Sequence, residues 1–460
     1  MFECRGKKFK EEEGELMSIA LVKNLFYVDV LAIAMMVLIG FLGTVVCLFS
    51  KEYMKGDALY NNFFLNMSVL LTSVILITIS DNLVVFLSAW GCCNGMTARL
   101  MTHKPSWKAA RASGRLAFKN FVLGFIFIAT SFILLYKETE SLSIQYIVHH
   151  SSNSIFIFCA LIMLILGAMT QSAIYPFHRW LISSLNSPTP VSAIMHAGII
   201  NGGGFLLARF SPLYFNFPKI LNVIFVVGLV SALLGSVWKL MQADVKRMLG
   251  CSTMGQMGFM LVQCGLGLFS SAIAHLCWHG VFKAYLFLSS GGAAKEERVD
   301  LGYPPRLHCF LLALVCGFWG SYLFTVINDQ SFFSFDTTCF VIGIVFITST
   351  QLALTTLFKV SFKNFFLALL IATMVAVLYG INVYVFDSIF SPLGFMQPQP
   401  LNLLHSSALI IPVLWVLILF FSRLKSEIPD RFLILYVKML NSSQPCSATV
   451  TACHKGYNRI

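Results

Sequence analysis

Three titratable side chains recur at every fourth position in SAIAHLCWHGVFKAYLFLSS: His275, His279 and Lys283. Each step of four advances about 40° around a helix and rises about 6 Å, so the three share one stripe. Titratable groups at that interval can hand protons along through intervening water. A lysine at the centre of a spanning helix costs about 2.5 to 3.5 kcal/mol to insert, so it needs a partner, a water cavity or a function. The spacing predicts a proton wire. Two other readings fit the same residues. His275 and His279 have the interval of a metal-binding pair, but zinc or iron calls for a third ligand and this helix has no carboxylate. Lys283 can also snorkel toward the membrane interface.

A second polar cluster lies in GAMTQSAIYPFHRWLISSLNSPTPVSAIMHAGIINGGGFLLARF, from Gly167 to Phe210. His196 is a lone imidazole in an apolar helix, which in a membrane span points to function. The segment from Ile155 to Leu185 is too long for one upright span, and Pro176 within it must free a carbonyl, so a broken helix is expected there. Broken helices at membrane depth line cavities and mark ion pathways. Gln171 and His178 flank the break and are expected to face that cavity. Gly202, Gly203 and Gly204 lack the lysine, strand and spacing of a phosphate loop; close helix packing is their expected role, with a hinge second. Lys239 ends an apolar run, where it either continues the polar axis or snorkels. Asp244, Lys246 and Arg247 read as a solvated loop.

These groups need elements to hold them, and the composition says which. Hydrophobic residues are 57% of the 460 and charged residues 11%, with mean hydropathy +0.79, a balance no water-soluble surface can cover. The apolar runs are long enough to cross the bilayer as helices and lack the alternation of barrel strands. The fold class is therefore all-α: a polytopic helix bundle in the lipid bilayer with about thirteen spans, starting near residues 28, 62, 83, 115, 155, 190, 220, 248, 271, 308, 338, 364 and 406. A charged tail is expected over 1–24, the transmembrane domain over 25–423, and a C-terminal tail over 424–460.

The net charge is +12, and it is unevenly placed. Lys51, Lys55, Arg99, Lys104, Lys108, Arg111, Arg115, Arg179, Lys246 and Arg247 are among the cations in loops on one side, as are those of the C-terminal tail. Positive-inside asymmetry predicts a cytoplasmic C-terminus and an outer N-terminus. Nucleic-acid binding is not needed to explain the charge. The thirteen cysteines show no paired metal spacing, and no metal or other cofactor is expected in this chain. The first sixteen residues lack the apolar core of a signal peptide.

Three blocks then carry a family resemblance. They are VDVLAIAMM, FSKEYMKGD and ISDNLVVFLSAW between Tyr27 and Met101; SAIYPFHRWL and PTPVSAIMHAG; and ADVKRMLGCSTMGQMGFM with HLCWHGVFKAYLFLSS. In order and spacing they resemble the antiporter-like membrane subunits of respiratory complex I and the Mrp antiporters, over a core of residues 25–300. Within that superfamily, HRWLISSLNSPTPVSAIMHAGIINGGGFLLARF is most similar to DabB, the membrane subunit family of inorganic carbon accumulation systems. The resemblance implies a multi-pass protein of the cell inner (plasma) membrane. It also implies a DabA-like large peripheral subunit on the cytoplasmic face, with zinc in that partner and none here. In that arrangement this chain passes protons and catalysis belongs to the partner. The proton is favoured over sodium because a dehydrated sodium ion wants oxygen ligands and carboxylates are scarce in the spans.

The departures are specific. Proton-pumping relatives carry glutamate directly after the tryptophan where this chain has Trp90 and Gly91, and lysine where it has Gln171. The retained polar axis is then His196, Lys239, His275, His279 and Lys283. The family's first spans are expected to be missing, and the resemblance thins after residue 300. Two alternatives stand beside the carbon reading: an antiporter-like subunit of an NADH-quinone oxidoreductase or Mrp-type cation/proton antiporter, and a non-conducting membrane anchor.

Overall fold

The computed structural model describes residues 25–295, 306–332, 335–357, 361–411, 414 and 430–450. The expected N-terminal tail and the cations Arg298, Lys359, Arg423, Lys425, Lys455 and Arg459 lie outside them. Among the described residues the chain is helical, with isolated bridges and no strand. The helices that matter are α1 Val30–Tyr53, α2 Tyr60–Ile79, α3 Leu83–Met101, α4 Lys108–Thr139, α5 Ile155–Gln171, α6 Thr189–Ala197, α7 Gly202–Arg209, α8 Pro218–Leu240, α9 Val245–Gly265, α10 Phe269–Leu288, α11 Leu307–Ile327, α12 Cys339–Thr356, α13 Phe362–Phe390 and α14 Asp430–Ser442.

Nine spans among the described residues are long and apolar enough to cross a membrane, α6 and α7 together forming one of them. α5 is too short, while α9 and α10 have the length but carry the polar residues that lower their hydropathy. The thirteenth expected span, near residue 406, meets only the short helix Leu403–Ala408, and residues 412–429, apart from Leu414, lie outside the described residues.

Side chains satisfy several helix starts that would otherwise leave orphan N–H groups. Asp29 accepts from Ala32 N at 2.8 Å, Asn82 from Val84 N at 2.9 Å, and Asp244 from Arg247 N at 2.9 Å. α8 and α9 pack backbone to backbone through glycine: a Cβ added at Gly235 would lie 2.4 Å from Gly255 N. That is the small-residue contact on which membrane helices rely in place of hydrophobic exclusion. One large core runs through α1 to α10, and α11, α12 and α13 pack together beside it.

The expected broken helix is present. α5 stops at Gln171, Ala173 has φ 52°, the Tyr175–Pro176 peptide is cis, and the next helical turn is the short Arg179–Ile182. The interruption therefore begins ahead of Pro176. A second interruption divides α6 from α7 through a 3₁₀ turn, Ile199–Asn201. The described part of the C-terminal tail is docked rather than free. Cys446 N donates to Ser183 Oγ at 3.1 Å, Asn186 Nδ2 to the Thr449 carbonyl at 2.7 Å, and Gln242 Nε2 to Ser443 Oγ at 2.8 Å.

Candidate functional site

The two interruptions meet, and side chains at the end of α5 satisfy carbonyls in the turn between α6 and α7. Gln171 Nε2 donates to the Ile199 carbonyl at 3.2 Å and Ser172 Oγ to the Ile200 carbonyl at 2.8 Å. Asn120 Nδ2 and Trp180 Nε1 donate to the Thr170 carbonyl at 2.9 and 3.1 Å. Unwound backbone is tolerated at membrane depth only when such partners replace the helical ones. Beside the junction is a cavity of about 30 Å³ lined by Trp90, Cys93, Gln171, Gly198, Gly202 and Phe205, among others, which has room for a water molecule. Gly91, which follows the tryptophan where an acid was expected, faces the Phe125 ring, and a Cβ added there would lie only 3.1 Å from it.

α6 brings His196 against α9 and α10. The His196 ring stacks on Phe287 with centroids 4.2 Å apart, and its Nδ1 lies 3.1 Å from Thr253 Oγ1. Lys283 Nζ donates to the Leu249 carbonyl at 3.2 Å. His196, His279 and Lys283 are 1%, 5% and 1% exposed, so these three titratable groups sit inside the protein, not at the lipid surface. His275 is half-buried, its ring 6.1 Å from that of His279. Neither ring nitrogen of His279 has a partner, and His275 Nε2 has none. Ser271, one turn earlier, also has an unpartnered buried hydroxyl, so Ser271, His275, His279 and Lys283 form a single stripe. Among the described residues no third His, Cys, Asp or Glu joins the two histidines in a metal-sized cluster.

Among the described residues, two expected ones form no hydrogen bond with the stripe. His178 is buried against Trp238, centroids 4.8 Å apart, and Tyr175, on the far side of the α5 break. Lys239 is exposed in the last turn of α8, the position snorkelling produces. Among the described residues no hydrogen bond or ion pair ties it to the stripe.

At the end of the bundle carrying the basic loops, a cavity of about 390 Å³ is lined by residues including Tyr53, Asp57, His103, Lys104, Trp107 and Ser187. His103 Nε2 is 3.2 Å from Asp57 Oδ1. The Leu59 N–H, with His103 and Lys104 alongside, holds the Asp57 carboxyl below its ordinary value. Lys246 Nζ donates to the Ser187 carbonyl at 3.3 Å, and Tyr53 and Thr189 hydroxyls are 3.4 Å apart. This cavity abuts the start of α6, two turns before His196.

Sequence reading missed a buried ion pair at the opposite end. Arg209 Nη1 donates to Asp29 Oδ2 at 2.5 Å, with side chains 4% and 6% exposed, and Nη2 donates to the Thr78 carbonyl at 2.9 Å. A lone arginine in GGGFLLARF and a lone aspartate in YVDVLAIAMM were the available signal. Nothing in either local pattern says that they meet.

Comparison with known proteins agrees with this architecture. The family described as NADH:quinone oxidoreductase/Mrp antiporter, TM, matches residues 80–303, and NADH-Ubiquinone oxidoreductase (complex I), chain 5 N-terminus, matches residues 22–64. The probable inorganic carbon transporter subunit DabB1 of Halothiobacillus neapolitanus is 38% identical over 299 residues, covering 62% of this chain and 53% of that protein. The probable DabB subunit of Bacillus subtilis is 32% identical over 284 residues, 60% of this chain and 55% of that protein. Chloroplastic NAD(P)H-quinone oxidoreductase subunit 5 of Carpenteria californica is 34% identical over 293 residues, 61% of this chain and 39% of that protein. The chain thus spans about half the length of the DabB relatives it matches. In fold it is similar to a chain of the Mrp complex from Dietzia sp. DQ12-45-1b, with TM-score 0.61 and 20% identity over 90% of this chain and 52% of that one. The matched residues include the interrupted helices and the whole α10 stripe, and over them the chain is similar to the membrane subunits of the NADH:quinone oxidoreductase/Mrp antiporter family and to the DabB inorganic carbon transporter subunits.

Proposed function

We propose that this chain is the proton-conducting membrane subunit of an inorganic carbon accumulation complex. One observation carries the reading: Ser271, His275 and His279 point polar atoms without partners along one stripe that ends at buried Lys283, beside His196. Buried polar atoms without protein partners are what a chain of proton-relaying water binds. In this reading protons pass along His196, Lys283, His279 and His275, with Gln171, Lys239 and His178 at the margins. The basic end faces the cytoplasm of a cell whose inner membrane holds the bundle.

The partner is a DabA-like peripheral subunit on that basic end. Zinc belongs to it, where it supplies a hydroxide for hydrating CO2 to bicarbonate. Names of relatives at 32–38% identity support the carbon assignment. The 34% identity to a quinone oxidoreductase subunit favours a second reading, an ion-translocating subunit of a redox or antiporter complex. Gly91 and Gln171, in place of the expected acid and lysine, favour a third, a non-conducting anchor.

The test is inorganic carbon uptake by cells expressing the chain with its partner. His279→Ala and Lys283→Ala should each abolish uptake while the partner still co-purifies. Retained uptake in both would remove the proton path and leave the anchor. Co-purification with a set of small membrane subunits in place of one large zinc protein would favour the redox or antiporter reading.

A further inference from the structure

We propose that Asp387, held by Ser270, is the proton-exchanging carboxylate at the outer mouth of the α10 stripe, the end remote from the basic loops. This rests on the reading of that stripe as a proton path. Asp387 lies in the last turn of α13, half-buried, and is the one carboxylate of that 29-residue helix. Its carboxylate accepts a hydrogen bond from Ser270 Oγ. Ser270 is in the first turn of α10, next to Ser271, where the stripe begins. Among the described residues, Asp387 is the one carboxylate that a hydrogen bond ties to α10. α10 has no acid of its own, and the tertiary fold supplies one from a helix more than a hundred positions further along the chain.

Ser271 and Phe386, the chain neighbours of that pair, line a space between the two helices that also takes in His275. An open cavity of about 750 Å³ separates α10 from α13 there, and its polar lining is Ser271 and His275 on one wall and Tyr379 and Asn382 on the other. Asn382 precedes Asp387 by five residues, about 7.5 Å along α13. Ser271 Oγ and His275 Nε2 both lack partners. Ser271 and His275 therefore open on a space whose lining stops one residue short of the Ser270 and Asp387 pair. At that point the carboxylate takes a proton from the stripe and becomes neutral, then gives it to bulk water and is charged again; flow the other way reverses the two steps. α13 also lies beyond residue 303, where the family match ends, so this outlet belongs to a part of the chain that the match does not cover.

A structural clamp between α10 and α13 is the competing role, and it makes a different prediction. The Asn amide carbonyl also accepts from Ser270, more weakly than a carboxylate because it carries no charge, so Asp387→Asn keeps the clamp's hydrogen bond and loses the titration. The full chain would be reconstituted in liposomes with an internal pH dye, and proton flux followed under an imposed pH gradient with the membrane potential clamped. Asp387→Asn should lower flux by about a hundredfold or more, the scale set by losing a positioned acid-base group, while the protein still unfolds near the wild-type midpoint. Asp387→Glu should restore most of the flux and move its pH profile, which a clamp alone would not do. Wild-type flux in Asp387→Asn, with Lys283→Ala inactive, would overturn the outlet and leave the path standing. Wild-type flux in Lys283→Ala would overturn the path itself. If Asp387→Asn fails to fold, an Asp387→Glu profile identical to wild type overturns the proposal.

Discussion

Ser172 Oγ donates to the Ile200 carbonyl at 2.8 Å, so the end of α5 satisfies a carbonyl freed in the turn between α6 and α7. Gly203 makes that approach possible: a Cβ there would lie 2.2 Å from Ser172 Oγ and 2.5 Å from the Ala168 carbonyl oxygen. The second of these is backbone and cannot swing aside. Gly203→Ala should therefore destabilise the protein by about 1–3 kcal/mol, the usual range for overpacking a filled core. Gly40 on α1 has nothing within 4 Å of its built Cβ, so Gly40→Ala should stabilise by about 0.5–1 kcal/mol through helix propensity. Thermal unfolding in detergent compares the two, and a Gly203→Ala midpoint at or above the Gly40→Ala midpoint would refute the close-approach account.

The Asp29–Arg209 pair fastens the start of α1 to the end of α7, and Arg209 also reaches the end of α2 through the Thr78 carbonyl. Removing one member of a buried pair strands the other charge, at about 3–5 kcal/mol, whereas replacing both with apolar groups is often neutral. Arg209→Met should lower the unfolding midpoint sharply, and Asp29→Leu should too. The double variant should recover much of the loss. Additive losses in the double variant would mean that the two residues act independently.

The sequence exposes groups whose spacing is local and conceals those whose partners are distant. His275, His279 and Lys283 were legible because four-residue intervals survive folding unchanged. The α5 break was legible because Pro176 cannot continue a helix, although the structure opens it earlier, at Ser172. The glycine run was expected to pack first and hinge second, and it does the first at Gly203 beside the 3₁₀ turn Ile199–Asn201. Asp29 with Arg209, 180 positions apart, and Ser270 with Asp387, 117 apart, were not legible, because periodicity within one helix says nothing about which helix will be its neighbour. The span count suffers from the reverse problem: the polar residues that give α9 and α10 their interest also pull them below the apolarity of an ordinary span.

Lys283 separates stability from function. Its ammonium donates to the Leu249 carbonyl, which also accepts from Thr253 Oγ1 at 2.9 Å, so removing the amine leaves that carbonyl with a partner. Burying a cation without a counter-charge costs stability. Lys283→Met, close in shape, should keep or raise the unfolding midpoint while abolishing proton flux in liposomes. A lowered midpoint together with lost flux would assign Lys283 a structural role instead.

Asp57 carries a pH signature at the basic end. Its carboxyl is held below the ordinary value of 3.8, first by the Leu59 N–H and then by His103 and Lys104. A group with a depressed folded value contributes stability that is fully present above its unfolded value and is lost as pH falls through the folded one. Asp57→Asn keeps an oxygen to accept from Leu59 N and removes the charge. The gap between wild-type and Asp57→Asn unfolding midpoints should therefore be fully open just above the acid range, at about pH 5, and should close as pH drops below 3.8. Salt should narrow it, because the Asp57 side chain is 21% exposed and its partners are screened. A gap that persists unchanged in strong acid would show that the asparagine acts through packing and not through the lost charge.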